Sequence, residues 1–475
     1  MASGGSKKMA DPPRVRVDVN GVTDRRIGAQ AGLSSAEIDS IGPRLADAIA
    51  RLEAERAEGR RPSLDLADRA DDLAATMAQA DELRGAVDWC VVVAAEGSAL
   101  GSQLLTRALV DRPDEGGGGR IGLFVVDGAD PWALRLVLER VELRRTLFHV
   151  ITRAGESIET LAAFLILREN LLRELGAVDY TRHILLTTDA DAGPLRQIVN
   201  DEGLHATVFP PGVAGHQAAS SPVHLLAAAL QDVDVAGFLA GVRAMDARCR
   251  VGDPDENPAA LLAAVYYLLA TLHGVQTNVL FGYGDRLAGM AEWWRHVWAA
   301  TLGKKLEGES SAVAVGTTPV LARGTLDQYT QLQMYLDGPA DKVLTFVRVG
   351  EAGARLEIPR SYGDFEDVAF LGGRTVDEVA ALEQSAVQWA CAREGRPAVS
   401  IELPALDAHA LGQTVRLFES TALLCASLHD VDPQARPAVE ATRRLVYGAL
   451  GKSGFESEGE GLRAWLDARE ERFVR

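Results

Sequence analysis

Two short stretches of this chain have residue types and spacing suited to holding an anion. The first, Val91-Val92-Val93-Ala94-Ala95-Glu96-Gly97-Ser98-Ala99-Leu100-Gly101, runs from an apolar strand through small residues into a helical pattern. Gly97 and Gly101 allow close backbone approach, and Ser98 offers a hydroxyl beside backbone N–H groups, the combination that binds anions at helix starts. The second, Val150-Ile151-Thr152-Arg153-Ala154-Gly155-Glu156-Ser157-Ile158-Glu159-Thr160, repeats the plan with Thr152, Arg153 and Ser157. Each also has a plain reading: a tight strand-to-helix turn, with Ser157 and Thr160 as helix-start caps.

The surrounding pattern predicts the elements that must position these turns. Ser34 to Gln79 is helical, with Leu45, Ala48, Ile49 and Leu52 at helical spacing. Short apolar runs then alternate with amphipathic stretches: Trp89–Val93, Gly122–Val126, Thr146–Ile151, His183–Leu186 and Ala206–Phe209. After a helical region from Ala218 to about Leu272 comes a second series, Asn278–Phe281, Ala312–Val315, Lys342–Val349 and Val399–Glu402. Helices are predicted between and after these at about Asp285–Leu302, Val376–Glu394, Leu411–Ser427 and Pro437–Leu450. Strand–helix alternation argues for parallel sheets buried on both faces. The expected fold is α/β: two doubly wound domains in three layers (αβα), with ligands beyond the carboxyl ends of the strands.

The totals bound the function. With 475 residues the chain is too long for one ordinary core, and a formal charge of −18 gives no global attraction to nucleic acid or anionic lipid. No apolar run is long enough to span a membrane. Cys90, Cys249, Cys391 and Cys425 form no CxxC pair and read as buried reduced thiols, which suits a reducing, cytoplasmic compartment. Met1–Lys8, polar and Gly/Ser-rich before Met9, reads as an added leader. The expected organisation is a leader (1–8), an N-terminal helical segment (9–80), two α/β domains (81–225 and 226–455) and a charged tail (456–475).

The two turns resemble the phosphate-binding turns of the phosphoglucose isomerase family, whose patterns read like GIGGS-x-LG and SKSGTT-x-ET. The resemblance continues at Phe209-Pro210-Pro211-Gly212-Val213-Ala214-Gly215-His216 and at Tyr283-Gly284-Asp285-Arg286-Leu287 with Glu292-Trp293. It extends through Trp298-Ala299-Ala300-Thr301-Leu302-Gly303-Lys304 and Gly324-Thr325-Leu326-Asp327-Gln328-Tyr329-Thr330-Gln331-Leu332-Gln333. Leu411-Gly412-Gln413 and Tyr447-Gly448-Ala449-Leu450-Gly451-Lys452 resemble the closing helices. The resemblance implies two sugar-isomerase domains of the SIS type, a sugar phosphate ligand, no cofactor or metal, and a homodimer whose cleft is completed across subunits.

It also implies that the chemistry has changed. Ser98, Thr152, Arg153, Ser157 and Gln413 stand at substrate-binding positions, and Lys452 matches the family's C-terminal lysine. Glu96 and Glu156 bring carboxylates into the two turns, where each would repel a phosphate by several kcal/mol at partly buried dielectric. Ala300 stands where the family has its glutamate base, Tyr329 where it has the ring-opening histidine, and His216 where an arginine steadies the enediolate. Glu307 or Glu309 could swing back as a base, and His216 or His224 could move protons, although a solvated loop is the better reading of the two glutamates and a packed core the better reading of His224. The expectation is a family member with lost or strongly reduced glucose-6-phosphate isomerisation, kept for binding, regulation or assembly. The alternative is an active aldose–ketose isomerase with relocated catalytic groups.

Overall fold

The computed structural model describes residues 13–95, 97–117, 119–253, 256–306, 313–351 and 353–475. Twelve strands are present among them: β1 (Arg16–Asp18), β2 (Trp89–Ala94), β3 (Gly122–Val126), β4 (Thr146–Ile151), β5 (Ile184–Thr188) and β6 (His205–Val208) in the first half. The second half contains β7 (Thr277–Tyr283), β8 (Lys304–Leu306), β9 (Val313–Val315), β10 (Thr318–Gly324), β11 (Lys342–Glu351) and β12 (Ala398–Ala405). The first sheet is wholly parallel, in the order β3-β2-β4-β5-β6. The second has the order β1-β12-β11-β7-β10 and is parallel except for β1, which runs antiparallel to β12.

Side-chain alternation assigns each sheet two apolar faces. Along β2, Cys90, Val92 and Ala94 enter a central core, while Val91 and Val93 enter an outer one with Phe148, Val150, Phe164 and Leu167. On the second sheet Val343, Val347, Val399 and Ile401 face the central core, and Val279, Phe281, Leu344 and Phe346 face a third cluster. Helices Leu100–Leu109, Pro222–Leu230, Val235–Cys249, Pro258–Leu272, Ala288–Leu302 and Ala408–Leu428 fill the central core. The two α/β layers are thus joined through one shared interior. All four cysteines are buried and unpaired.

The predicted α/β architecture is present, with two differences of detail. The run beginning at Ala312 is not a strand of the second parallel sheet; β9 pairs only with β8, in a two-stranded antiparallel ribbon. The sheet position is taken by β10, where Pro319 obscured the strand pattern; proline is tolerated there because β10 is an edge strand. β1 is a second strand beyond the sequence expectation, although Val15, Val17 and Val19 alternate as a strand should. It ties the chain's beginning to the second sheet. The residues after Gly451 form a further helix, Glu456–Asp467, which meets Pro437–Ala449 at Gly448 and Gly459. A Cβ on Gly448 would stand 2.3 Å from the Gly459 nitrogen, so only glycine permits this approach.

Candidate functional site

β2 and β4 are neighbours, and their parallel register brings both anion-type turns to the same carboxyl edge of the first sheet. From β2 the chain goes to β3 on one side and β4 lies on the other, so the crevice opens at the point where strand order reverses. At the first turn Gly97 has φ +83°, a left-handed conformation that favours glycine. The loop 212–217 closes over it. A Cβ on Gly97 would lie 3.4 Å from the His216 Cβ, and one on Gly215 would strike Ser98 Oγ at 2.2 Å.

The second turn opens the helix Ile158–Asp179, and here capping does not occur. Ser157 holds the N-cap position without a side-chain cap bond. Thr160 is buried, and its hydroxyl has no hydrogen-bond partner among the described residues. The first N–H groups of a helix have no intrahelical acceptor and carry the positive end of its dipole. Buried Thr152 and Ser157 and exposed Arg153 complete the set. The arrangement suits a phosphate or a similar anion.

The charges around this turn differ from the sequence expectation. Glu156 is exposed, but its carboxylate takes a 2.8 Å hydrogen bond from Arg443 Nη1, and Arg443 also pairs with Glu440 at 3.2 Å. Tyr447 donates to the Glu156 carbonyl at 2.6 Å. The repulsion expected from Glu156 is therefore offset by an ion pair. Burial pushes the Asp189 carboxyl above its ordinary value, with Arg153 opposing that shift and Glu156 adding to it. Glu96, Glu307 and Glu309 lie outside the described residues.

Lys452 lies against Tyr447, whose hydroxyl donates to the Glu156 carbonyl. It is exposed beyond the helix Pro437–Ala449, its ammonium 3.8 Å above the Tyr447 ring. A further basic side chain beside the second turn, besides Arg153, is Arg443, one of an adjacent arginine pair (Arg443, Arg444) that the sequence pattern hid among surface charges. Gln413 is placed elsewhere. Its amide accepts from Val15 N at 3.1 Å and donates to the Pro13 carbonyl at 3.1 Å, so it anchors the chain's beginning.

Ala300 lies half-buried in the last turn of the helix Ala288–Leu302. Its carbonyl accepts from Lys304 Nζ at 2.6 Å, and the same ammonium reaches the Ala435 carbonyl. Burial pulls the Lys304 pKa below its ordinary value. His216 is 3% exposed; its carbonyl accepts from Trp293 Nε1 at 3.1 Å and its Nε2 has no partner among the described residues. Burial, with Arg436, Lys304 and His296 nearby, pushes its pKa down to about 3, so the ring is neutral near pH 7. His224 is fully buried, bonded to Ser102 Oγ at 3.2 Å, and burial lowers its pKa to about 4. That is the packed reading of His224. Tyr329, by contrast, is 74% exposed on the short turn after β10, and its hydroxyl donates to Glu383 at 2.8 Å.

Comparison with known proteins agrees with this architecture. The family model described as phosphoglucose isomerase matches residues 78–449. The glucose-6-phosphate isomerase of Rubrobacter xylanophilus is 35% identical over 439 residues, 90% of this chain and 97% of that protein. That of Carboxydothermus hydrogenoformans is 31% identical over 449 residues, covering 94% and 96% of the two chains. Among solved structures, a hypothetical protein from Thermus thermophilus superposes with a TM-score of 0.81 at 28% identity, over 92% of this chain and all of that one. A glucose-6-phosphate isomerase from Chlamydia trachomatis shares the fold, with a TM-score of 0.71 at 17% identity over 84% of this chain and 77% of its own. With two anion-type turns on one sheet edge and relatives matched over nearly their whole length, this chain belongs to the phosphoglucose isomerase family.

Proposed function

We propose that this protein binds a sugar phosphate at the two turns and does not interconvert aldose and ketose phosphates at the rate of an isomerase. The observation that carries the reading is Ala300. Aldose–ketose conversion needs a base beside the carbonyl, and the helix end that resembles the family's base segment offers a methyl group there. General base catalysis supplies about 10²–10⁴-fold. Binding is supported by the uncapped helix start at Ile158, the unpartnered Thr160 hydroxyl and the Arg443–Glu156 pair. A regulatory or assembly role follows from binding without turnover.

The same reading takes the protein as a cytoplasmic homodimer. Leu326, Tyr329 and Met334 lie exposed together after β10, and a second copy would cover them and carry Tyr329 to a cleft. Among the described residues no helix is long and apolar enough to cross a membrane.

A coupled assay with fructose 6-phosphate, paired with a melt in the same ligand, tests both halves. A hundredfold excess over Kd should stabilise the fold by about 2.7 kcal/mol. Turnover should be at least about 10²-fold below that of the Rubrobacter relative assayed in parallel. Turnover equal to that relative would overturn the loss, and an unmoved melt would overturn the binding.

A further inference from the structure

Arg416 and Glu419 lie one turn apart on the central helix Ala408–Leu428, the first fully buried and the second 4% exposed. Arg416 Nη2 donates to the Leu64 carbonyl at 3.0 Å, but Nη1 stops 3.6 Å from Glu419 and Nε stops 3.6 Å from Asp246. Arg416 Nε, Arg416 Nη1 and Glu419 Oε1 have no hydrogen-bond partner among the described residues. Buried polar atoms are nearly always bonded, so three unsatisfied ones in a single cluster point to groups that exchange partners.

Carboxylates outnumber cations around this pair. Buried Arg56, on the helix Gly42–Ala57, meets Asp65 at 2.6 Å, Asp246 at 2.9 Å, Asp68 at 3.6 Å and Glu53 at 3.9 Å. Glu53 is matched by Arg250 at 2.6 Å. Arg416 and Arg56 therefore face three aspartates before Glu419 is counted. On the helix Val235–Cys249, Arg243 and Arg248 are bonded to the Ala67 and Val15 carbonyls, and burial pushes the Cys249 thiol up to about 12, so it stays neutral. The helix Pro258–Leu272 carries no charged side chain, and Ala288–Leu302 meets the central helix through Trp294 against Phe418. A charged Glu419 would be a surplus anion in the interior, where an unpaired charge is costly. Burial raises its pKa to about 7, with Arg416 opposing the shift and Asp246 adding to it.

The proton decides which partner Arg416 keeps. The Leu64 carbonyl accepts from Arg416 and, at 3.1 Å, from Arg56 Nη2, while Arg243 donates to the Ala67 carbonyl at 2.6 Å. Three arginines thus hold the short helix Pro62–Asp68 in place. Its first residue supports the loop 212–217 over the first turn, since a Cβ on Gly212 would lie 3.1 Å from Pro62 Cγ. An ionised Glu419 attracts the guanidinium across the 3.6 Å gap, and that movement takes Nη2 from Leu64. We propose that Glu419 is a proton switch. Protonated, it leaves Arg416 on the Leu64 carbonyl and the segment 62–68 fixed; ionised, it draws Arg416 away and loosens that segment with the cleft loop it supports. The consequence for a ligand rests on the reading that the turns take a sugar phosphate, whereas the switch itself does not.

Hydrogen exchange of the full chain, read by mass spectrometry at pH 6 and pH 8.5 and corrected for the intrinsic pH dependence of exchange, tests it. Protection of residues 62–69 is expected to fall at least about tenfold at the higher pH, while the core helix Pro258–Leu272 keeps its protection. Glu419→Gln, which cannot ionise, should hold 62–69 protected at both values. Should that variant fail to fold, Arg416→Lys, which lacks the fork that reaches Leu64, should exchange at pH 6 as fast as the parent does at pH 8.5. Unchanged protection in the parent, a loss shared by Glu419→Gln, or a loss shared by Pro258–Leu272 overturns the switch. Calorimetry with fructose 6-phosphate reads the cleft: the parent should match Glu419→Gln at pH 6 and bind at least about threefold more weakly at pH 8.5. Equal affinities at both values overturn the link to the cleft. Binding by neither protein overturns the sugar-phosphate reading and leaves the switch to the exchange result.

Discussion

The Thr160 hydroxyl is buried at the start of a helix and bonded to nothing among the described residues. Replacing it by an isosteric apolar side chain removes no internal bond, so Thr160→Val should leave the melting temperature of the free protein unchanged or higher. A hydrogen bond to a charged group is worth about 1.5–3 kcal/mol, so the same change should weaken sugar-phosphate binding at least about tenfold. A structural cap would behave in the opposite way, with stability falling and affinity unmoved. Glu156 makes a second residue-scale test. Its carboxylate takes one hydrogen bond from Arg443 at 2.8 Å, so Glu156→Gln should remove a negative charge from the second turn and tighten fructose 6-phosphate binding severalfold in calorimetry. Ala300→Glu should restore part of the missing base and raise isomerase turnover by about 10²-fold if Lys304 and His216 tolerate the new charge. A variant that folds, binds and shows no gain would mean that the rest of the proton-transfer machinery is absent too.

At the scale of elements, the helices Val235–Cys249 and Ala408–Leu428 define the interior. They approach through glycine at two places: a Cβ on Gly412 would lie 2.1 Å from the Phe238 carbonyl oxygen, and one on Gly241 would lie 1.9 Å from that of His409. Backbone cannot yield as a flexible side chain does. Gly412→Ala should therefore cost at least about 1–3 kcal/mol, read as a lower denaturant midpoint. Gly412 belongs to the segment that resembles the family's closing helices, so its retention reflects helix spacing as much as ligand binding. The adjacent Gln413 makes the same point, since its amide is committed to Pro13 and Val15.

For the whole molecule, buried titratable groups set the response to pH. His149, His216 and His224 have pKa values pushed down to about 3, 3 and 4 by burial. Their unfolded values lie near 6.5, so the unfolded chain binds more protons, and stability falls as pH drops from about 6.5 toward 3. Buried Glu419 acts in the opposite sense: burial raises it to about 7 against the attraction of Arg416, so its contribution is lost as pH rises from about 4.5 through 7. Three imidazoles outweigh one carboxyl. Melting temperature should fall monotonically from pH 6.5 to pH 4, and a flat profile would contradict the burial of these rings. Glu419→Gln should remove the opposing slope and make the decline steeper.

Much of this was legible in the sequence because it depends on local pattern. Apolar runs of strand length between helical stretches specified parallel sheets, and glycine beside Ser98 and Gly155 beside Ser157 specified anion-type turns. The absence of a carboxylate at Ala300 is likewise a property of one residue in a patterned segment. Partnership was not legible. That Arg443 neutralises Glu156 and that Gln413 holds the chain's beginning depend on segments nearly three hundred to four hundred residues apart. The Pro319 strand escaped the pattern because edge position, which sequence does not display, is what makes proline acceptable there. Charge sign and spacing are written along the chain, whereas the field at a point is a sum over space. Local residues determined which groups could meet an anion, and only the tertiary structure decided which of them remain unsatisfied at the cleft.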